Sequence, residues 1–141
     1  MSYLLDTCAL SEMIKKKPNA GFVEWIKQQH GSSFYVSVVS IAEIEQGIVR
    51  LGDSRKKKRL QRWLLGIKAQ YRSRLLPVDL AVAETYGQIQ GNSMKIGKPL
   101  PVQDCWIAAT AIAYSKAVVT RDAATLSVTN VAIVNPWMPP N

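Results

Sequence analysis

Phe34-Tyr35-Val36-Ser37-Val38-Val39 runs without a break into Ser40-Ile41-Ala42-Glu43-Ile44, and the apolar series continues at Ile48 and Leu51. The first six residues are mostly β-branched or aromatic and predict a strand. From Ile41 onward the apolar residues step by three, four and three, the spacing of one buried helix face. A strand that feeds directly into a helix is half of a βαβ unit. The same alternation extends in both directions from this stretch. Tyr3-Leu4-Leu5, Leu75-Leu76-Pro77-Val78, Ala117-Val118-Val119 and Val131-Ala132-Ile133-Val134 read as further strands, with Pro77 pointing to an edge position. Leu60, Trp63, Leu64, Ile67 and Tyr71 form one helical stripe, Val82, Tyr86 and Ile89 a second, and Ile107, Ala108, Ala111, Ile112 and Tyr114 a third. Strands alternating with helices predict an α/β fold with a mainly parallel sheet covered on both faces. Functional groups then gather outside the carboxyl ends of the strands.

The chain of 141 residues predicts one domain over 1–141, closing in a short Pro-rich tail over 136–141. With 48% hydrophobic and 20% charged residues it is globular, not disordered. Two cysteines, Cys8 and Cys105, and one histidine, His30, argue against a disulfide framework or a Cys/His zinc site. Both cysteines are expected to pack as small apolar residues, and His30 to lie in a helix-to-strand loop. The longest nearly unbroken apolar run, Ile107 to Tyr114, is too short to span a bilayer. Asp6 interrupts the N-terminal apolar stretch, and no basic segment precedes it, so a cytoplasmic protein without a signal peptide is expected. The formal charge of +8 directs attention to nucleic acid, an acidic protein or an anionic membrane surface.

Acids are scarce, so their positions carry information. Asp6 follows the first strand, and Asp122 stands three residues beyond Val119. Glu43 and Asp104 fall in the first turns of the helices that carry Ile44 and Ile107. In a parallel sheet all four converge on one edge. Each also has a purely structural reading. Ser40 and Glu43 fit a capping box, Asp104 could complement a helix dipole, and Asp122 could be a turn residue. Asp79 is assigned as a helix N-cap outside the site. Oxygen ligands alone suit a hard divalent cation, Mg²⁺ or Mn²⁺, and four carboxylates require positive charge among them or partial protonation. An acidic metal pocket in a basic protein implies phosphodiester hydrolysis by an activated water.

The positive charge is concentrated. Ten of the 18 basic residues lie between Arg50 and Arg74, against the single acid Asp53. Lys56, Lys57, Lys58, Arg59 and Arg62 are the candidate phosphate-backbone contacts, weighed equally against a merely solvated helix face, with an acidic protein partner as a further alternative. Trp25, Trp63 and Trp106 fall in apolar helical patterns and are expected in the core.

Several pieces together resemble the PIN-domain family, and within it the VapC-type ribonuclease toxins of toxin–antitoxin pairs. They are Leu4-Leu5-Asp6-Thr7 with Leu10-Ser11-Glu12; Ser40 with Ala42-Glu43-Ile44 and Gly47; Leu76-Pro77-Val78-Asp79; Tyr86-Gly87; Gly97-Lys98-Pro99; Asp104 with Ile107 to Ala111; Val119-Thr120-Arg121-Asp122; and Asn135-Pro136-Trp137. The resemblance implies a three-layer α/β/α sandwich and a Mg²⁺- or Mn²⁺-dependent endoribonuclease. It places Asp6, Glu43, Asp104 and Asp122 at the family's acids, with Asp6 and Asp104 as first choices for direct ligands and Thr7 and Thr120 as supporting hydroxyls. It also implies a homodimer, silencing by a small VapB-like antitoxin in a larger assembly, and RNA as substrate. Two departures stand out. Cys8 occupies a position where Asn or Ser is common, and Asp122 and Thr125 stand where Asn and a later Asp are common. The alternatives are a PIN nuclease outside any toxin–antitoxin pair, and a non-catalytic module that binds nucleic acid or protein. A haloacid-dehalogenase-type phosphohydrolase is disfavoured, because Cys8 stands where its second Asp is needed.

Overall fold

The structure, a computed structural model, describes residues 1–138. Five strands form its sheet: β1 (Tyr3–Leu5), β2 (Phe34–Ser37), β3 (Leu75–Leu76), β4 (Ala117–Val119) and β5 (Ile133–Val134). Their order is β3-β2-β1-β4-β5, and every pairing is parallel. The chain therefore builds outward from β1 through β2 to β3, then returns to the other side of β1 for β4 and β5. That reversal places a crevice at the carboxyl end of β1, beside β4. The helices are α1 (Thr7–Glu12), α2 (Ala20–Lys27), α3 (Val38–Val49), α4 (Arg55–Gln70), α5 (Leu80–Lys95), α6 (Val102–Ala113) and α7 (Ala123–Leu126).

Successive strand residues point to opposite faces, and the buried residues divide accordingly. Leu5, Val36 and Val119 face a cluster with Phe22, Ile44, Ile48, Leu64 and Ile67. Leu4, Leu76 and Val118 face the other, with Ile107, Ala108, Ala111 and Leu126. Leu4 and Leu5 are both fully buried, each stabilising the fold by roughly 1.5–3 kcal/mol. The result is the expected three-layer α/β/α sandwich.

Local chemistry moves several boundaries. β2 stops at Ser37, not Val39, because the Ser37 hydroxyl accepts the Val39 N–H at 3.0 Å and caps α3. A satisfied cap outweighs the strand preference of Val38 and Val39. β3 ends before Pro77 and lies at the sheet edge, as its proline implied. β5 begins at Ile133 and not at Val131. Asp79 caps α5 by accepting the Val82 N–H at 3.0 Å. His30 lies just before the 3₁₀ turn Gly31–Ser33 that leads into β2. Trp25 and Trp63 are partly buried against the first cluster, and Trp106 stacks on Tyr86 at 3.9 Å between ring centroids. The Pro-rich tail is docked where it begins, with Pro136 buried and Trp137 half-buried; residues 139–141 lie outside the described residues. No described helix is long and apolar enough to cross a membrane.

Candidate functional site

Asp6 leaves β1 at the crevice and caps α1, its Oδ1 accepting the Ala9 N–H at 2.8 Å. The Asp6 N–H in turn donates to the Val119 carbonyl at 3.2 Å, which fastens this corner to β4. One residue on, the Thr7 hydroxyl donates to Glu43 Oε1 at 3.0 Å, and the Ser40 hydroxyl lies 3.2 Å from Thr7 Oγ1. Ser40 is fully buried inside α3, whose cap is Ser37. The capping-box reading of Ser40 and Glu43 is therefore wrong: Glu43 lies more than a turn into the helix, and its partner is Thr7. Burial pushes the Glu43 carboxyl above its usual range; the Thr7 bond opposes this, and the charges of Asp104 and Asp6 add to it.

Asp104 lies in the first turn of α6, after Pro101, which offers no side-chain cap. The approach to this helix is held by Gln90. Its amide donates to the Leu100 carbonyl at 2.8 Å and accepts the Leu100 N–H at 2.9 Å. The Asp104 carboxyl is raised, first by burial and then by the charges of Asp122 and Asp6. A carboxylate acting only as a dipole partner would be stabilised in its ionised form. Here its negative neighbours and its burial outweigh the helix. Asp122 is exposed and caps α7 by position without a capping hydrogen bond. Thr120 Oγ1 accepts the Asp122 N–H at 3.0 Å, and the Thr125 hydroxyl donates to Asp122 Oδ2 at 2.6 Å. The two departures in this turn thus contact each other, and Thr125 holds the acid that precedes it.

All four predicted acids lie within electrostatic reach of at least one other. Among the described residues the single side-chain ion pair is Lys15–Glu12, so none of the four has a cationic side chain within 4.0 Å. Nor, among the described residues, are any three His, Cys, Asp or Glu side chains gathered tightly enough to cage an ion as they stand. Like charges with nothing positive between them stay apart. The donor atoms are carboxylate and hydroxyl oxygens, the set a hard divalent cation takes. Glu43, Asp104, Asp6 and Asp122 therefore fit Mg²⁺ or Mn²⁺ by chemistry, as an open cluster.

The role expected of Cys8 needs correcting. It is half-buried, and its thiol donates toward Asp6, with Sγ at 3.0 Å from Oδ1 and 3.2 Å from Oδ2. Burial and the Asp6 charge push the thiol up to about 12, so it remains a protonated donor. Cys105 is fully buried and apolar in setting, as expected.

Lys56, Lys58, Arg59 and Arg62 are exposed on α4, whereas the Lys57 ammonium donates to the Leu51 carbonyl at 3.2 Å. α4 opens with Arg55-Lys56-Lys57-Lys58 and has no acid in its first turn. Cations at a helix N-terminus oppose its dipole, each at roughly 0.3–1 kcal/mol. Local helix stability does not account for that placement. Lys56 also lines a groove of about 320 Å³ together with Thr7, Glu43, Leu60 and Trp63. The basic end of α4 therefore shares a groove with Glu43. Neither Gln90 nor the partner of Glu12, the indole of Trp137, 125 residues away, carries a signal in the sequence pattern.

Comparison with known proteins gives the same picture. The PIN domain family model matches residues 3–130. Toxin FitB of Neisseria gonorrhoeae is 36% identical over 135 residues, covering 95% of this chain and 97% of that protein. VapC ribonuclease Y4jK of Sinorhizobium fredii is 31% identical, covering 96% and 98%. A solved structure of FitAB bound to an IR36 DNA fragment superposes with a TM-score of 0.90 at 34% identity, over 99% of this chain and 98% of that one. A parallel sheet with acids at its carboxyl edge, matched over nearly its whole length in sequence and in shape, leaves one assignment: this chain belongs to the PIN-domain family.

Proposed function

We propose that this protein is a divalent-metal-dependent endoribonuclease and the toxin of a VapBC-type toxin–antitoxin pair. The observation that carries this reading is the set of four carboxylates without a cation, at the sheet edge of a strongly basic chain. The names of the relatives, Toxin FitB and VapC ribonuclease Y4jK, support it. Asp6 and Asp104 would hold the ion, with Asp122 and Glu43 completing the acidic wall. Bound Mg²⁺ or Mn²⁺ would supply positive charge that activates water and stabilises charge developing on the phosphate.

The protein's own groups do the rest. Ala9 N–H and the Cys8 thiol orient Asp6, and the Thr125 hydroxyl orients Asp122. Thr7 engages Glu43 Oε1 and leaves Oε2 without a hydrogen-bond partner among the described residues. A carboxylate with a raised proton affinity and a free oxygen is suited to receive a proton from an attacking water. Lys56, Lys58, Arg59 and Arg62 would bind the RNA backbone without reading its sequence. A small VapB-like antitoxin, a homodimer and a larger assembly of the two proteins are the partners proposed.

The test is RNA cleavage by purified protein. Cleavage is expected only with Mg²⁺ or Mn²⁺ and is lost in Asp6→Asn. Activity that persists in EDTA, or in Asp6→Asn, overturns the metal-dependent reading of this site, and no cleavage by the wild-type protein with Mg²⁺ or Mn²⁺ overturns the nuclease reading. A short adjacent reading frame whose product co-purifies with the chain and blocks cleavage tests the toxin reading separately.

A further inference from the structure

Two sequence pieces remain unused by the site: Glu12 at the end of α1, and Asn135-Pro136-Trp137 after β5. The structure joins them. Glu12 is 3% exposed, and its carboxylate accepts from three places in the chain. Oε1 takes the Trp137 indole N–H at 2.9 Å and the Lys15 ammonium at 3.0 Å, while Oε2 takes the Asn19 N–H at 3.0 Å. The Trp137 ring lies on Phe22 with centroids 4.7 Å apart. Gly21 makes room for the passing chain, since a Cβ there would meet the Pro136 carbonyl oxygen at 2.9 Å.

The other end of the segment reaches the turn that carries Asp122. Asn135 Nδ2 donates to the Arg121 carbonyl at 3.4 Å, and Asn135 Oδ1 accepts the Trp137 N–H at 3.1 Å. The Arg121 guanidinium lies 6.0 Å from the Trp137 ring centroid. So Asn135–Trp137 is a strap with one end on the Asp122 turn and the other on α1. Because α1 has six residues and is capped by Asp6, a helix only about 9 Å long separates Glu12 from that acid. The Glu12 contacts are thus one short helix away from Asp6. Stability alone does not call for a charge here, because an apolar side chain of similar volume is often as good or better in such a site. A fully bonded carboxylate fixes direction as well as contact.

We propose that Glu12 and Trp137 are positioning residues: through the strap they set the spacing between Asp6 and Asp122, and with it the affinity of the acid edge for a divalent cation. The proposal rests on the nuclease reading for its metal, but not for its geometry. The decisive variant is Trp137→Phe in the full chain, which keeps an aromatic ring and removes the N–H. Asn135→Ala cuts the opposite end and serves as a second, milder variant. Mn²⁺ affinity by calorimetry should weaken about tenfold in both, the lower end of what altered orienting partners do. The kcat for RNA cleavage should fall while KM for RNA stays unchanged. Variants that melt earlier yet bind Mn²⁺ and cleave like wild type would overturn the proposal and leave the strap a stabilising contact. If the wild-type chain itself fails to bind Mn²⁺, the nuclease reading falls, and hydrogen exchange decides the strap. Faster exchange at both the Ala9 and Asp122 amides in Trp137→Phe supports the spacing role, and unchanged exchange at either overturns it.

Discussion

Replacing Gln90 tests how Asp104 is held. Gln90 is 7% exposed and Leu100 is 5% exposed, and the amide answers both the N–H and the carbonyl of Leu100. The loop between them also uses Gly97 at φ 69° and a Lys98 N–H bond to the Ser93 carbonyl at 2.9 Å. Gln90→Leu leaves one buried donor and one buried acceptor without partners. Each costs about 1–3 kcal/mol, and the added apolar burial returns about 1. The expected net loss is about 3 kcal/mol, or roughly 10 °C in Tm for a chain of this size. Gln90→Glu has a more specific signature. Its ionised carboxylate can accept the Leu100 N–H but opposes the Leu100 carbonyl, whereas its protonated form donates to that carbonyl as Gln90 does. The folded-state pKa of the new Glu is therefore raised above its unfolded value. Its stability contribution is present below that unfolded value, about 4.3, and is lost as pH rises through the folded one. Urea unfolding from pH 4 to pH 8 should show the variant near wild type in acid and falling away toward neutrality. A loss in Gln90→Leu below about 0.5 kcal/mol, within the ordinary range for surface substitutions, would refute the assignment. So would a pH-independent deficit in Gln90→Glu.

Three further outcomes can be checked together. Lys56→Gln with Lys58→Gln should weaken RNA binding and reduce the slope of log K against log[salt] by about 0.7 per lost phosphate contact, with Mn²⁺ affinity unchanged; filter binding across a salt series reads this. Glu43 and Asp104 are raised above their usual 4.5 and 3.8, so Mn²⁺ competes with protons and its affinity should climb as pH rises above that range. Metal-free stability should run the opposite way, because raised carboxylates stabilise the fold below their unfolded pKa and lose that contribution as pH rises; melting curves with and without Mn²⁺ test the divergence. Glu12 is different: burial raises it, but the Trp137, Asn19 and Lys15 donors together bring it below its usual 4.5. Its contribution is present above 4.5 and lost as pH falls through the folded value, so Glu12→Gln should flatten the acid limb of the stability profile.

The fold was legible because each strand is short, apolar and followed by a helical period. Leu4-Leu5 and Val118-Val119 are double-faced pairs, and such pairs belong to a sheet covered on both sides. Boundaries were less legible where a side chain competed with propensity. Ser37 caps α3 from inside what reads as a continuous strand, and that single bond moved the helix start and removed the capping-box reading of Glu43. The convergence of the four acids was legible because a parallel sheet sends its strand ends and the helices that follow them to the same edge. Their hydroxyl partners were only half visible. Thr7 is adjacent in sequence to Asp6 but serves Glu43, 36 residues away. The role of Glu12, though the residue belongs to one of the pieces that resemble the family, and the whole role of Gln90 were invisible because a buried polar residue looks like any surface one until its partner is located. The partner of Glu12 is near the other end of the chain.

Two local violations in this protein have no compensating ion pair among the described residues. The acids at the sheet edge repel and are partly buried, yet none of the 18 basic side chains pairs with them. The first turn of α4 carries four cations at the wrong end of its dipole, with no acid to balance them. Folding alone would be better served by exchanging a few of these charges, and Glu43 and Lys56 line one groove without forming an ion pair. Sequences usually agree with their folds at every level, and local disagreement concentrates at functional sites. Under the proposed function a divalent cation would answer the first violation and a phosphate backbone the second. A passive RNA-binding module would need only the cations on α4; the unpaired acids are what favour the proposed metal-dependent nuclease over it.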